Sequence, residues 1–217
     1  MSFTIGPSIP LSNLVYYLDP FNIKSYSGSG STAYNLIDNL PSTLSSISYA
    51  SGSFSNATAG AISSGASYSL SLTNGFTVMQ FLNLNSRTGG FFNYISGSNS
   101  INLYAGNLTQ LRWETYGSGG DLYSNTTIPL NQWHCWTCTF AGVPTGGQTA
   151  TSSIYYNGIL DNSGTLSGPS SNNSTFQVGV QSGPCNGLIG PTLFWNTALS
   201  ASQVRASYIA LKGRYGL

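Results

Sequence analysis

The sequence predicts an all-β fold, a sandwich of two antiparallel sheets with one short C-terminal helix. Short segments rich in aromatic and β-branched residues recur along the chain with Gly, Ser and Asn between them, which is typical of a sandwich. No segment before residue 199 places its apolar residues at the helical period, whereas residues 201–212 do. The 217 residues suit one large sandwich, so we predict a single domain over residues 1–217.

The strands are predicted from local patterns of burial and turn residues. Leu14–Leu18 is a short apolar run that indicates a buried strand, and Ser67–Leu72 alternates apolar residues with serine, as a half-buried strand does. Ser25–Gly65 is rich in Ser, Gly, Asn and Thr, which predicts a loop with short strands, one of them near Ser46–Tyr49. Asn157-Gly158 is a two-residue hairpin signal. Further strands are predicted at Phe76–Leu84, Phe91–Ile95, Ile101–Tyr104, Leu108–Tyr116, Asp121–Ser124, Gln132–Phe140, Ser153–Tyr156, Ile159–Asp161, Phe176–Val180 and Leu188–Trp195.

The C-terminal helix is predicted from its two ends as well as from its period. Ser200 and Gln203 have the spacing of a capping box, with the hydroxyl at the N-cap and the amide three residues on. Apolar residues up to Leu211 recur at helical spacing, and Gly213 stands where a helix should end. We therefore predict one helix over Ala201–Lys212 and expect it to act as a clasp on the sandwich, not as a site.

Charge is unusually scarce in this chain. Only 5% of the residues are charged, against about 25% in an average globular protein. The net charge of +1 offers no field for a polyanion, which excludes nucleic acid as a partner. No apolar run is long enough to span a bilayer, and no basic amphipathic stretch suits a membrane surface. Such a surface suits packing in many copies, harsh surroundings, contact with sugars, or a lineage that uses little charge.

Three segments of the chain resemble a known family by their order and spacing. The first is Leu14–Pro20 followed by Ser25–Gly30, the second is Asn131–His134 followed by Ile154–Gly158, and the third is Gly190–Leu217. Together they resemble the concanavalin-A-like, laminin-G-like jelly-roll domains. The ending is similar to that of laminin-G-like domains in phage and algal-virus structural proteins. The resemblance implies a jelly-roll topology for the sandwich.

The same resemblance implies a virion structural protein, such as a capsid-decoration, minor capsid, tail or fibre component. Its partners would be other virion proteins, copies of itself and host-surface glycans. The N-terminus lacks the basic start and apolar run of a signal peptide, so we expect synthesis in the host cytoplasm and a location in the virion.

A stand-alone carbohydrate-binding module is the alternative function. Sugar binding needs exposed aromatic platforms beside amide or carboxylate groups. One predicted hairpin gathers such residues, and its candidate glycan-binding residues are Tyr116, Asp121, Tyr123 and Asn125. One face of this hairpin must be core, so we expect about half of its aromatic residues to be structural.

A glycoside hydrolase is the third hypothesis, and the scarcity of carboxylates disfavours it. Hydrolysis needs two carboxylates roughly 5–10 Å apart. Glu114 and Asp121 are the one pair worth testing. If Gly117–Gly120 is the hairpin loop, Tyr116 faces Asp121, and Glu114 lies diagonally from Asp121 at about 7–8 Å. Arg112 shares their face and favours a surface ion pair, so we predict no catalytic residue and no enzyme.

Metal sites are equally weak in the sequence. His134, Cys135 and Cys138 lie on one predicted strand, whose side chains alternate, so the two cysteines point to opposite faces. We expect His134 in the core, satisfied by a backbone carbonyl. Cys185 stays open between a free thiol and a bridge to one of the other two cysteines. Calcium is the one cofactor that the family resemblance implies, with Asp19 as its candidate ligand.

Overall fold

The computed structural model describes residues 7–57, 60–70, 72–96, 99–105, 109–115, 120–143, 148–168, 173–179 and 185–217. These residues form strands throughout, one C-terminal α-helix, α1 (Ala201–Lys212), and a 3-10 turn (Gly213–Tyr215). The strands in chain order are β1 (Leu14–Leu18), β2 (Thr32–Tyr34), β3 (Pro41–Ser45), β4 (Ser48–Ala50), β5 (Ser53–Asn56), β6 (Ala61–Ser64), β7 (Tyr68–Ser69), β8 (Phe76–Leu84), β9 (Gly90–Ser96), β10 (Asn99–Tyr104), β11 (Gln110–Thr115), β12 (Asp121–Thr127), β13 (Trp133–Phe140), β14 (Thr149–Tyr156), β15 (Ile159–Ser167), β16 (Asn173–Val178) and β17 (Gly187–Trp195).

The strands form two antiparallel sheets. The eight-stranded sheet has the order β15-β14-β13-β8-β17-β5-β4, with β1 also paired to β17. The nine-stranded sheet has the order β12-β11-β10-β9-β16-β6-β3-β2, with β7 also paired to β16. Sequence neighbours such as β7 and β8 lie in different sheets, as the jelly-roll topology requires. The predicted all-β, two-sheet sandwich with one terminal helix is confirmed.

The main core lies between the two sheets and is rich in aromatic rings. Phe76 stacks on Phe140 at 5.1 Å and on Phe194 at 6.2 Å within the eight-stranded sheet. From the opposite sheet, Trp113 approaches Phe76 at 5.9 Å and Phe176 approaches Phe194 at 4.7 Å. All five side chains are fully buried. Each such ring contributes about 1.5–3 kcal/mol of hydrophobic stabilisation, so this layer holds the sheets together.

A second apolar cluster covers the outer face of the eight-stranded sheet. Val204, Tyr208 and Leu211 of α1 are buried there, and the ring of Tyr208 stacks on that of Phe81 at 6.1 Å. Strands β8 and β13 are therefore buried on both faces, and their sequences read as nearly continuous apolar runs instead of alternating. The helix thus covers part of the outer face of the eight-stranded sheet, whereas no helix of the described residues covers the outer face of the nine-stranded sheet.

The ends of α1 follow the sequence signals with one difference. The Ser200 hydroxyl accepts from the Gln203 backbone N–H at 3.3 Å, and the Gln203 side chain accepts from the Ser200 N–H at 2.9 Å, so the capping box is confirmed. Gly213 does not take the left-handed conformation of a helix-ending glycine. It continues the chain into the 3-10 turn at φ −60°, and Gly216 adopts the left-handed conformation instead, at φ 69°.

The polar segment Ser25–Gly65 holds more strand than its composition predicts. Strands β2 to β6 all come from it, so the predicted short strands are present, and β4 overlaps the one predicted near Ser46–Tyr49. Small side chains such as Ser42, which is buried against the Tyr16 hydroxyl, face the core here in place of large apolar ones. In the part of the chain that the structure describes, no helix is long and apolar enough to cross a membrane.

Candidate functional site

A row of polar side chains crosses the outer face of the nine-stranded sheet. Trp113, Leu122 and Leu103 point into the sandwich core, so the residues that alternate with them in β11, β12 and β10 point outward. We call these cross-strand partners the polar row. In strand order, the polar row is Asp121, Glu114, Asn102, Asn93, Gln177, Ser63, Thr43 and Thr32. Its two charged members stand at the β12 edge.

Arg112 stands beside these two carboxylates, between two aromatic rings. One of its terminal nitrogens lies 2.7 Å from Asp121 Oδ1 and 3.2 Å from Glu114 Oε1. Its guanidinium carbon lies 4.9 Å from the ring centre of Tyr104 and 6.0 Å from that of Tyr123, both of which are its cross-strand neighbours. These five residues are called the Arg112 cluster. Two acids, one base and two phenols thus meet on one outward face.

Burial and neighbouring charges raise the pKa of Tyr104, Tyr123 and Arg112 in the Arg112 cluster. The Tyr123 hydroxyl donates to Asp121 Oδ2 at 3.2 Å. Burial raises the pKa of Tyr104, and the charge of Glu114 raises it further. Burial also raises the pKa of Tyr123, with Asp121 acting in the same direction. Burial alone would lower the pKa of Arg112, but Asp121 and Glu114 outweigh it and the net shift is upward. Both phenols therefore stay protonated donors at neutral pH.

This face is accessible at the β12 edge and buried at its centre. Asn93 and Asn102, in the middle of the polar row, are only 3% and 1% exposed although they point away from the core. The side chains of Arg112 and Asp121 keep 25% and 26% of their surface exposed. The face is therefore recessed at its centre, and a ligand would reach the Arg112 cluster from the side of β12.

The pairing of β11 with β12 corrects one sequence expectation. The loop Gly117–Gly120 was expected to place Tyr116 opposite Asp121, but the structure pairs Glu114 with Asp121 directly. The expected register was wrong by two residues. A shift of two leaves every side chain on its original face, so the alternating pattern could not distinguish the two registers. Glu114 and Asp121 are thus immediate neighbours that share Arg112, not a diagonal pair.

The four predicted glycan-binding residues do not all lie together. Asp121 and Tyr123 belong to the Arg112 cluster, whereas Tyr116 lies outside the described residues. The Asn125 backbone N–H donates to Asp161 Oδ2, and its side chain donates to the Asp161 carbonyl, both at 2.6 Å. Asn125 therefore ties β12 to β15 at the edge of the sandwich. Tyr104 and Asn102 were missed because only the sheet topology brings β10 beside β11.

Asp19 does not fit the calcium site that the family resemblance implied. Its carboxylate is fully buried and lies 2.5 Å from the Arg214 guanidinium. The Tyr17 hydroxyl donates to the same oxygen at 3.0 Å, and the Phe21 N–H donates to the other at 3.1 Å. A second cation would be repelled by Arg214. Among the residues that the structure describes, no three His, Cys, Asp or Glu side chains come close enough to hold a metal.

The remaining reactive side chains are structural. His134 lies in the core, where its Nδ1 donates to the Gln132 carbonyl at 3.1 Å and burial lowers its pKa to about 4. Cys135 packs in the cluster under the helix and Cys138 in the main core, so the opposite orientations are confirmed. Cys185 is a free, buried thiol, and burial raises its pKa to about 12. These groups offer no accessible nucleophile.

A cavity of about 340 Å³ at the β14–β15 hairpin was not anticipated from the sequence. The exposed side chains of Ile159 and Leu160 form its apolar wall, and Tyr156 lies beside them. Asp161 lines it too, but its carboxylate is already engaged by Thr126 and the β12 backbone. The sequence signal for this cavity was the pair of adjacent aliphatic residues directly after the Asn157-Gly158 turn.

The fold and the outward polar face define a lectin-like domain. The chain belongs to the concanavalin A-like lectin/glucanases superfamily, whose family model matches residues 54–205. No curated protein sequence matches the chain.

Several solved structures share the fold at low sequence identity. Domain 4 of AbnA, a GH43 extracellular arabinanase from Geobacillus stearothermophilus in complex with arabinotriose, has a TM-score of 0.66 and 20% identity, covering 89% of this chain and 97% of that one. Trypanosoma rangeli sialidase in complex with sialic acid has a TM-score of 0.67 and 14% identity, covering 95% of this chain and 34% of the sialidase. The receptor binding domain of botulinum neurotoxin C/D mosaic serotype has a TM-score of 0.64 and 14% identity, covering 92% of this chain and 51% of that one.

Proposed function

We propose that the chain is a non-catalytic carbohydrate-binding domain whose glycan site is the Arg112 cluster. One observation carries the proposal. The chain has only six basic and five acidic residues, yet three of them stand together with two tyrosines on the outer face of the nine-stranded sheet, which no helix of the described residues covers. Removing charged groups from water costs free energy. Three charged side chains gathered on a recessed face therefore indicate a role in binding a ligand.

The chemistry of the cluster suits sugar hydroxyl groups. Carboxylate oxygens accept from hydroxyls, while the phenol and guanidinium groups donate to them. Tyr123 is half-buried, so part of its ring is available to the C–H face of a sugar. The pairs between Arg112, Glu114 and Asp121 hold these groups in place before a ligand arrives, which lowers the entropy lost on binding.

Binding without catalysis is supported by the way the two carboxylates are used. A glycosidase needs one carboxyl as a general acid and the other as nucleophile or base, with the scissile bond between them. Here Arg112 pairs with both Glu114 and Asp121, so a guanidinium occupies that position. The arabinotriose bound to the AbnA domain agrees with a sugar-binding role for this fold.

A glycan array followed by calorimetric titration tests the proposal. Tyr123→Ala should weaken binding of the best array ligand about tenfold or more, because a stacking platform at the centre of a site carries much of its energy. Tyr34→Ala is the matched control, since Tyr34 is an exposed tyrosine on β2, at the opposite edge of the same sheet. No binding to any printed glycan would overturn the proposal, as would equal losses in the two variants.

A virion structural protein is the second candidate, and the scarcity of charge favours it. No charged residue occurs between Asp38 and Arg87, so subunits could pack through this segment without burying charge. In this setting the partners would be other virion proteins or copies of the chain, and glycan binding would serve host attachment. Mass spectrometry of purified particles tests this role. The chain should be present at fixed stoichiometry, and its absence from particles would refute the role.

A further inference from the structure

We infer that the Arg112 cluster takes uncharged glycans and discriminates against sialylated and other acidic ones. This inference rests on the proposed function and adds the class of sugar that the site accepts. It is drawn from the balance of charge in the cluster.

The cluster carries more acid than base. Arg112 pairs with both Glu114 and Asp121, so the three side chains together have a net charge of about −1 at neutral pH. The other members of the polar row are amides and hydroxyls and add no positive charge. A sugar carboxylate would therefore meet a negative site. To bind Arg112 it would have to displace a carboxylate that is already in place.

Among the described residues, Arg112 is the only basic side chain that pairs with the carboxylates of the Arg112 cluster. The sequence has six basic residues, and all of them lie within the described ranges. Arg87 donates to the Ile128 carbonyl beyond the far end of β12, and Arg214 pairs with Asp19. Arg205 and Lys212 lie on α1 against the ring of Tyr208, beyond the opposite sheet. Lys24 lies in the segment after β1.

The exposed carboxylate of Asp121 is the group best placed to accept hydrogen bonds from a neutral sugar. Its two oxygens accept one hydrogen bond each, from Arg112 and from Tyr123. A carboxylate oxygen can accept two, so Asp121 keeps capacity for two sugar hydroxyl groups. The carboxylate of an acidic sugar has no hydrogen to donate to these acceptors and is repelled by their charge, whereas sugar hydroxyl groups match them.

An array of matched neutral and sialylated oligosaccharides, including arabinotriose, lactose and sialyllactose, tests the inference. The wild-type chain should bind a neutral glycan at least tenfold more tightly than its sialylated partner. Asp121→Asn should remove one of the two carboxylates that pair with Arg112 and bring the net charge of the cluster to about zero, which should shift the preference by about tenfold toward the sialylated partner. Asp38→Asn removes the same charge from an exposed loop and should leave the preference unchanged.

The possible results distinguish a failure of the proposed function from a failure of the inference about acidic sugars. Failure to bind any glycan would refute the proposed function itself. Preference of the wild-type chain for sialylated glycans would overturn the inference and leave the function standing. An unchanged preference in Asp121→Asn would also overturn it, provided the variant keeps the wild-type melting temperature. If Asp121→Asn unfolds, Glu114→Gln removes the other carboxylate from Arg112 and should give the same shift.

Discussion

The single histidine of the chain should make folding stability depend on pH in a narrow window. His134 is fully buried, its Nδ1 is bonded to a carbonyl, and Nε2 has no partner among the described atoms. Burial lowers its pKa from 6.5 to about 4. At a pH between about 4 and about 6.5, the folded state therefore keeps the ring neutral, while the unfolded state protonates it. Because the unfolded state binds more protons, stability falls as the pH falls below about 6.5.

The size of the effect follows from the two pKa values. Between about pH 7.5 and about pH 5, linkage gives a loss of about 2 kcal/mol in the free energy of unfolding. The window ends above the ordinary range of carboxyl groups, so Asp and Glu contribute little to it. Since the chain has only one His, the change can be assigned to one side chain.

Urea unfolding followed by tryptophan fluorescence at a series of pH values measures this loss. As the pH falls, the midpoint urea concentration should fall. The slope of the unfolding free energy with urea concentration should stay constant, as expected when stability alone changes. His134→Leu should abolish the pH dependence, whether the variant itself is more or less stable than the wild type. The informative quantity is therefore the change in unfolding free energy with pH. A wild-type stability that stays flat in the window, or a variant that keeps the same loss, would refute the assignment.

Three further predictions concern the clasp and the core. Arg214→Met should cost about 2 kcal/mol in urea unfolding, because it leaves the buried Asp19 carboxylate unpaired, and a loss near zero would contradict the clasp. Deletion of residues 201–217 should uncover Phe81 and make the chain insoluble, whereas a soluble, equally stable truncation would refute this. Cys135 and Cys138 should resist iodoacetamide until the chain unfolds, since burial raises the pKa of both thiols, and fast native alkylation would contradict their burial.

Features with a local cause could be predicted from the sequence. The capping box at Ser200 and Gln203 and the turn at Asn157-Gly158 depend on residues a few positions apart. The structure has both, with left-handed φ angles of 49° and 74° in the turn. The position of His134 on the core face likewise follows from alternation within one strand.

Features that depend on pairing between strands could not be predicted in the same way. The register of β11 on β12 and the approach of Tyr104 from β10 are set by the whole sheet, not by any local signal. For this reason Asp121 and Tyr123 were found in the sequence while Asn102 and Tyr104 were not. The short strands predicted within Ser25–Gly65 could not be delimited, because small polar side chains, held by hydrogen bonds, take the place of apolar ones there.

The position of a bound sugar tests the central claim most directly. A crystal structure of the chain with its best array ligand would place that sugar on the molecule without reference to any variant. We expect it against Tyr123 and Asp121, at the β12 edge of the nine-stranded sheet. A sugar seated instead in the hairpin cavity beside Tyr156 and Leu160, with the Arg112 cluster left bare, would contradict the claim.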